Sequence, residues 1–287
     1  MKIRFWGVRG SIASPGSDTA HFGGNTSCVQ VIDQGAMLVL DAGTGARGLG
    51  DYLITSKAHS LKDVHVLLSH FHTDHICGLP FFAPLYQAKV NLHLYGPKGF
   101  RRQPSAILAS FFAEEFFPIA VTKLPAQLDF HPLGNETFEI NPFQITSFYV
   151  NHPGSALGYV IQSKQCRIAY LSDHEPMKQY QHIKQSTLLH YEKLLLEHLG
   201  GVDLLIHDAH FTDAEYPNYR GWGHSPWSEA VALAVSCRVK HLVLFHHAPT
   251  HSDAMLKKNL RQLQAQLKKK KSPLKVSLAR EGTTITL

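Results

Sequence analysis

The stretch VHVLLSHFHTDH, residues 64–75, decides the reading of this chain. Val64, Val66, Leu67 and Leu68 form a short apolar run with the length and composition of a buried strand. The run passes straight into a turn in which His70, His72, Asp74 and His75 fall within six positions. A lone histidine after a strand is an ordinary core or surface residue. Four potential ligands in one turn need a chemical reason. Neutral imidazole and carboxylate together make a donor set for Zn²⁺, Mn²⁺ or Fe²⁺ rather than for Ca²⁺ or Cu⁺.

The pattern of an apolar strand ending in histidine or aspartate recurs along the chain. His152 follows residues 146–150, Asp173 follows 168–171, His207 and Asp208 follow 203–206, and His246 and His247 follow 241–245. Functional groups collect where strands end and loops begin, so strand ends sharing one edge would bring these side chains together. Such a set is too large for one tetrahedral ion and suits two ions with a bridge. Two metals roughly 3.5–4 Å apart can hold a hydroxide between them and stabilise in-line displacement at phosphorus.

Working outward, 287 residues of which 44% are hydrophobic and 17% charged can bury a sizeable core. With no repeat, low-complexity tract or long Gly/Ser linker, residues 1–287 read as one domain. The first residues, MKIRFWGVRGSIASPG, lack the apolar core of a signal peptide. No run approaches the roughly 18 apolar residues of a membrane span. The expectation is a cytoplasmic protein with no membrane partner. Cys28, Cys77, Cys166 and Cys237 are far apart and form no CxxC pair, so they are expected to be reduced and buried. Cys77, beside the histidine cluster, reads as a small core residue, with a place next to a metal as the alternative. The formal charge of +6 is compatible with anionic substrates. Much of it lies in Lys268–Lys271 at the end of an expected helix, where lysines suit the helix dipole and solvation, so no stable nucleic-acid partner is expected.

Strand-like segments at 2–6, 27–32, 37–40, 64–69 and 91–95 fill the first half. In the second, strand pairs within 138–149 break at Asn141-Pro142. Residues 158–162 and 166–171 flank Ser163-Lys164-Gln165 as a hairpin, and 203–206 and 241–245 are short strands. Ser225-Pro226 is expected to start a helix, and Ser252 to cap the last long one, whose leucines at 256, 260, 263 and 267 mark one face. Residues 276–278 and 283–287 read as a closing strand pair. Two hairpin-rich halves with interspersed helices suggest two packed sheets covered by helices, an α/β (α+β) architecture. Residues 105–117, with Phe111, Phe112, Phe116 and Phe117, read as a core helix or dimer contact, or as a lid over a site.

At this point the chain resembles the metallo-β-lactamase superfamily, whose signature HxHxDH occupies 70–75. It is similar more closely to the phosphodiesterase branch, which includes ribonuclease Z and the carbon–phosphorus-lyase-associated cyclic phosphodiesterase. The resemblance runs along nearly the whole chain. It includes FWGVRGSI at 5–12, FGGNTSCV at 22–29, LDAGTG at 40–45, YGP at 95–97 and YLSD at 170–173. It continues through HDAHFTDAEY at 207–216, GWGHS at 221–225, HHAPTHSD at 246–253 and AREGTTITL at 279–287. HxHxDH alone points to the superfamily; the ordered set points to the branch.

The resemblance implies an αββα sandwich of two mixed β-sheets flanked by helices, with a binuclear site for two divalent metal ions, zinc foremost and manganese or iron as alternatives. By the family pattern His70, His72 and His152 bind one ion, Asp74, His75 and His246 the other, and Asp173 bridges them. His246 is preferred to His247 because it directly follows the apolar strand. His247 is then a supporting partner, and Asp41 is expected to orient a metal-bound histidine. Ribonuclease Z carries an acidic residue in a His-Glu-Ala-Thr motif and a histidine in a His-Ser-Thr motif. Here HDAH and GHSP supply Asp208 and His224, with Asp in place of Glu and Pro226 in place of Thr. Catalysis is assigned to Asp74, Asp208 and His224: His224, kept protonated by Asp208, would contact the phosphate and help the leaving oxygen depart. Gly23-Gly24-Asn25-Thr26 reads as an ordinary glycine turn, with an approach to the metal site as the alternative, and Arg9, Arg47 and Arg220 are candidate phosphate contacts.

Ribonuclease Z proteins insert a flexible arm for transfer RNA between the ligands matching His152 and Asp173. Here that interval reads as a compact hairpin. The expected activity is therefore a metal-dependent phosphodiesterase for a small or cyclic phosphodiester, such as a cyclic nucleotide or cyclic ribose phosphate, using a metal-bridging hydroxide. The alternatives are a carboxylic ester, thioester or lactone hydrolase of the same fold, a ribonuclease Z-like RNA endonuclease, or a binding protein with a degenerate site. A homodimer is a further expectation.

Overall fold

The first sheet is laid down by the N-terminal half and completed by the last strand. In the computed structural model, which describes residues 1–56, 61–99, 102–164, 166–180 and 183–287, β1 (Lys2–Gly7), β2 (Cys28–Asp33) and β3 (Ala36–Leu40) form an antiparallel meander. Helix α1 (Gly45–Thr55) crosses to β4 (Asp63–Leu67), whose turn opens the one-turn helix α2 (Thr73–Ile76). Beyond them come β5 (Asn91–Pro97), α3 (Pro104–Phe111) and β6 (Gln127–Leu133). Strands β3 to β6 are parallel neighbours.

The second sheet repeats the plan. It comprises an antiparallel set, β7 (Glu136–Ile140), β8 (Phe143–Val150), β9 (Ala156–Gln162) and β10 (Arg167–Leu171). Then α4 (Gln185–Leu199), β11 (Leu204–Asp208), α5 (Trp227–Ser236), β12 (His241–Phe245), α6 (Asp253–Lys269) and β13 (Lys275–Leu278) alternate, and β10 to β13 are parallel. Finally β14 (Thr284–Thr286) returns to pair with β1. The sheets have the orders β14-β1-β2-β3-β4-β5-β6 and β13-β12-β11-β10-β9-β8-β7.

Strand side chains alternate between faces, and here both faces are covered. Leu38, Leu40, Leu67, Leu204, Ile206 and Phe245 meet between the sheets. Val39, Val64 and Val66 pack outward with Ala46, Leu49 and Leu53 of α1 and with Leu108 of α3. On the other side Leu205, Leu242 and Leu244 pack with helical Leu199, Ala230, Ala234 and Leu256. These four layers are the αββα sandwich that the resemblance implies.

Several expectations change in detail. Residues 276–278 and 283–287 do not pair with each other: β13 joins the second sheet and β14 the first. The link between them crosses the sandwich, with Ala279 N bonded to Leu244 O and Gly282 N to Phe5 O, so each strand meets an open edge. Strand β6 carries no clear sequence signal because Pro132 interrupts it. An edge strand tolerates proline because one side of its backbone needs no partner. Ser252 caps α6 by accepting Met255 N at 3.2 Å, but Ser225 does not cap α5; its hydroxyl donates to His174 O at 2.5 Å. Segment 105–117 contributes to the core through Leu108 and Phe112, while Phe116 is exposed. The hairpin between β9 and β10 is compact, although Gln165 in its turn lies outside the described residues. Cys28, Cys166 and Cys237 are buried and unbridged; Cys77 is half-exposed, with its Sγ 3.8 Å from Thr26 Oγ1. Among the described residues no helix is long and apolar enough to cross a membrane.

Candidate metal centre

The ends of β4, β8, β10, β11 and β12 meet along one rim of the sandwich and bring the expected residues together. Asp173, just past β10, lies at the middle. Its Oδ1 is 3.1 Å from His75 Nε2 and 3.4 Å from His246 Nε2. Its Oδ2 is 3.8 Å from both His70 Nε2 and His152 Nε2. One oxygen therefore faces each group of histidines. Asp74 Oδ2 joins the first pair, 3.3 Å from His75 Nε2 and 3.2 Å from His246 Nε2. His72 joins the second, with Nδ1 3.1 Å from His152 Nε2. The donor atoms form overlapping triads: His70–His72–His152, Asp74–His75–His246 and His70–His75–Asp173.

The rings are held from behind. His75 Nδ1 donates to Asp41 Oδ2 at 2.8 Å, which turns Nε2 toward the two aspartates. Asp41 is fixed in turn by Ser69 N at 2.6 Å, Ser69 Oγ at 2.8 Å and, from the other sheet, Tyr170 OH at 2.7 Å. His152 Nδ1 donates to Gly223 O at 2.8 Å, leaving Nε2 as an acceptor. Gly223 has φ 89°, and a Cβ there would lie 2.2 Å from His152 Nδ1, so both its conformation and its closeness require glycine. Asp41 and His246 hold left-handed φ angles of 57° and 59° at the ends of β3 and β12. Strain of about 1–3 kcal/mol at such residues persists only where the surroundings over-determine it.

Electrostatics divides the site in two. Burial, reinforced by neighbouring imidazoles, pushes His70 well below its ordinary pKa; burial also lowers His72 and His152, keeping all three neutral. Burial alone would raise Asp74 and Asp173, but the surrounding histidines hold both well below the carboxylate range. Burial opposes charge on His75 too, yet Asp173, Asp74 and Asp41 together favour it. Carboxylates that favour charge even on a fully buried imidazole mark a pocket in want of positive charge. His70 Nε2, His75 Nε2 and Asp173 Oδ1 are buried without a hydrogen-bond partner. Native proteins seldom leave such groups unsatisfied, and here ligand atoms of these three residues lie within 4.8 Å of one another. The donors fit divalent metal ions in chemistry and in placement.

Beside this cluster stands a second polar unit. Asp208 Oδ2 accepts His224 Nδ1 at 3.0 Å, and His224 Nδ1 is 3.7 Å from Asp173 Oδ2. Backbone amides of His174, His210 and Ser225 also donate to Asp208, at 3.1, 2.9 and 3.3 Å. Burial works against a charged His224, but Asp208 and then Asp173 and Asp74 outweigh it and raise the ring to about 9. The loop carrying His224 is anchored on buried Glu175, which accepts Gly223 N at 2.9 Å, Gly221 N at 2.9 Å, Tyr216 OH at 2.6 Å and Tyr180 OH at 2.8 Å.

Nothing in strand patterning singles out Glu175 or His210. His210 stands where the ribonuclease Z motif has threonine; its ring stacks on His224 at 4.5 Å and its Nδ1 donates to His246 O at 3.0 Å. Its only sequence signal is the second histidine of HDAH. Other expected residues lie elsewhere. His247 turns away, with Nε2 on Ala279 O at 3.0 Å, and burial lowers it to about 3. His207 pairs with His174 rather than with the cluster. Arg9 is no phosphate contact: it is fully buried, donating to Gly23 O, Ala248 O and His251 O. Arg47 is exposed beside Asp51, and Arg220 is exposed. Asn25 bonds Glu281, and Thr26 exchanges bonds with Thr44, so the glycine turn braces the fold.

A cleft of about 420 Å³ opens onto His70 and His72, walled by Phe71, Ile107, Pro153 and Arg102. Residues 102–117 thus serve the core and the cleft together.

Comparison with known proteins agrees with the fold. The family model described as "Beta-lactamase superfamily domain" matches residues 37–247. Ribonuclease Z of Thermococcus kodakarensis is 28% identical over 268 residues, covering 79% of this chain and 80% of that protein. Among solved structures, the metallo-β-lactamase fold protein YhfI from Bacillus subtilis superposes with a TM-score of 0.70 at 18% identity, over 99% of this chain and 98% of that one. A diphosphatase from the PhnP family superposes with a TM-score of 0.69 at 20% identity, over 100% and 97% of the two chains. These structural likenesses reach the fold alone, while the family model spans most of the sequence and both halves of the donor cluster. The chain belongs to the β-lactamase superfamily of hydrolases, in its metallo-β-lactamase fold.

Proposed function

We propose that the protein is a binuclear metal-dependent phosphodiesterase acting on a small or cyclic phosphodiester. The observation that carries this reading is the placement of the Asp208–His224 pair against Asp173, beside two groups of donors that share that carboxylate. His70, His72 and His152 would hold one divalent ion, and Asp74, His75 and His246 the other, with Asp173 between them; zinc suits the donors, and manganese or iron is also compatible. Bound there, two ions supply charge neutralisation at the phosphate and a water of lowered pKa.

The chain's own residues do the rest. Asp74, also bonded by the Ser11 amide at 2.7 Å, presents a fixed carboxylate to orient a reacting water. His224, charged through Asp208, places a proton donor at the rim of the donor cluster. It can bond a phosphate oxygen and protonate a departing alkoxide. A hydrolase of carboxylic esters has less need of that added cation. The size and walls of the cleft fit a sugar or nucleobase. Stacked Phe211 and Tyr219, 4.7 Å apart, with exposed Trp222 edge-on to Tyr219, extend an aromatic surface from His224. The compact β9–β10 hairpin favours a small substrate over RNA.

The test is hydrolysis of bis(p-nitrophenyl) phosphate by metal-quantified protein, followed by cyclic nucleotides and cyclic ribose phosphates. Turnover with at least about two metal equivalents, lost in Asp74→Ala and His224→Ala, is expected. Metal-loaded protein with turnover of lactones or thioesters and none of phosphodiesters would overturn the reading.

A further inference from the structure

Strands β4, β5 and β6 carry a second group of metal-type donors, set within the strands rather than beyond their ends. Parallel register aligns His65 with His93 and His93 with Asp129, while Tyr95 aligns with His131. Residues two apart share a face, so all five side chains lie on the side of the sheet that meets its partner sheet. Tyr95 reaches the inter-sheet core, but the group lies toward the open edge of the sandwich. The side chains of His93, His131 and Asp129 are 21%, 35% and 53% exposed. Among the described residues, none of the partners of this group belongs to the centre described above.

Three donor atoms form a nearly equilateral triangle. His93 Nδ1 is 3.3 Å from His131 Nε2 and 3.4 Å from Asp129 Oδ2, and His131 Nε2 is 3.2 Å from Asp129 Oδ2. Charge-assisted hydrogen bonds shorten to about 2.7–2.9 Å, so three equal and longer separations are poor pairwise bonds. They match one face of a tetrahedral ion instead: bonds of about 2.0–2.1 Å place neighbouring donors about 3.3–3.4 Å apart. An independent feature supports the assignment. His93 Nε2 faces Asp63 Oδ1 at 3.5 Å, the long limit of a hydrogen bond, and that carboxylate is fixed by Asn91 Nδ2 at 2.9 Å. A carboxylate behind one ring nitrogen, leaving the other as a lone pair, is the usual support of a metal-binding histidine. The rings are also held from the side. His65 stacks on His93 at 4.6 Å and 15°, and Tyr95 on His131 at 4.3 Å and 13°.

We propose that His93, Asp129 and His131 form a separate site for one Zn²⁺ or a similar divalent ion, oriented by Asp63 and open to water in its fourth position. Such an ion clips the edge strand β6 to β5. The site stands apart from the catalytic reading and survives that reading's failure.

The test uses the full chain stripped of metal and titrated with zinc chloride against a chromogenic chelator. The parent is expected to bind one equivalent more than the His93→Gln/His131→Gln double variant, both showing the same far-ultraviolet circular dichroism. Asp63→Asn is expected to keep that equivalent but bind it about tenfold more weakly. If the double variant does not fold, Asp129→Asn replaces it, with the affinity of the extra equivalent falling at least about tenfold. Equal equivalents at equal affinity in the parent and the folded variant overturn the proposal.

Discussion

Asp208 and His224 are joined through Oδ2 and Nδ1 at 3.0 Å, and Asp208 is held in place by three backbone amides. A carboxylate so well satisfied cannot swing away, which makes it a fixed negative charge behind the ring. The substitution Asp208→Asn keeps the shape and removes the charge. Below about 9 His224 is protonated, and activity that needs the proton falls as pH rises through that value. Its folded-state pKa is raised, so its stabilising contribution is full below about 6.5, the ordinary histidine value, and is lost as pH climbs through about 9. Asp208→Asn is expected to lower kcat on bis(p-nitrophenyl) phosphate by about 10²–10⁴-fold. It should also move the alkaline limb of the kcat profile to lower pH. An unchanged limb would separate His224 from proton transfer.

Asp41 holds His75 from the side opposite the donor cluster. Asp41→Asn keeps a residue that tolerates left-handed φ but leaves His75 Nδ1 without its carboxylate. Zinc affinity at the centre is expected to fall about 10–100-fold, read by chelator competition. The zinc-dependent rise in melting temperature should then be smaller in the variant than in the parent at the same zinc concentration.

Glu175 positions the loop without touching the donors. Its carboxylate accepts from two tyrosines and two amides, and burial followed by the Glu175 bond pushes Tyr180 up to about 12. In Glu175→Gln one acceptor oxygen becomes a donor facing donors. A loss of about 1–3 kcal/mol is expected in urea unfolding. Activity should fall because Gly223 carries the carbonyl that orients His152. Full activity with lost stability would show that the anchor is structural only.

Among the described residues Arg102 is the one Lys or Arg on the cleft wall, and its Nη2 is held by Ala106 O at 2.8 Å. Arg102→Ala is expected to raise KM for anionic substrates about tenfold at little cost in kcat, since binding lost equally from ground and transition states appears in KM. A fall confined to kcat would place Arg102 in the chemistry instead.

Local order was legible in the residues themselves. The run at 64–75 announces a strand and its ligand-bearing turn, because a buried strand needs only a few apolar residues and four donors in one turn are a dense signal. Asp173, His152, Asp208 and His246 were legible as strand-end residues for the same reason. Partnership was not. That β13 and β14 join different sheets depends on which edges lie open after the rest has assembled. Glu175 bonds Tyr216, 41 positions away, His247 and Arg9 turn into the interior, and His93, Asp129 and His131 meet through the register of parallel strands. Composition and periodicity carry what a residue is and which face it takes. Which groups meet is decided by long-range pairing and packing, because hydrogen bonds and buried charges find their partners only once distant strands lie side by side.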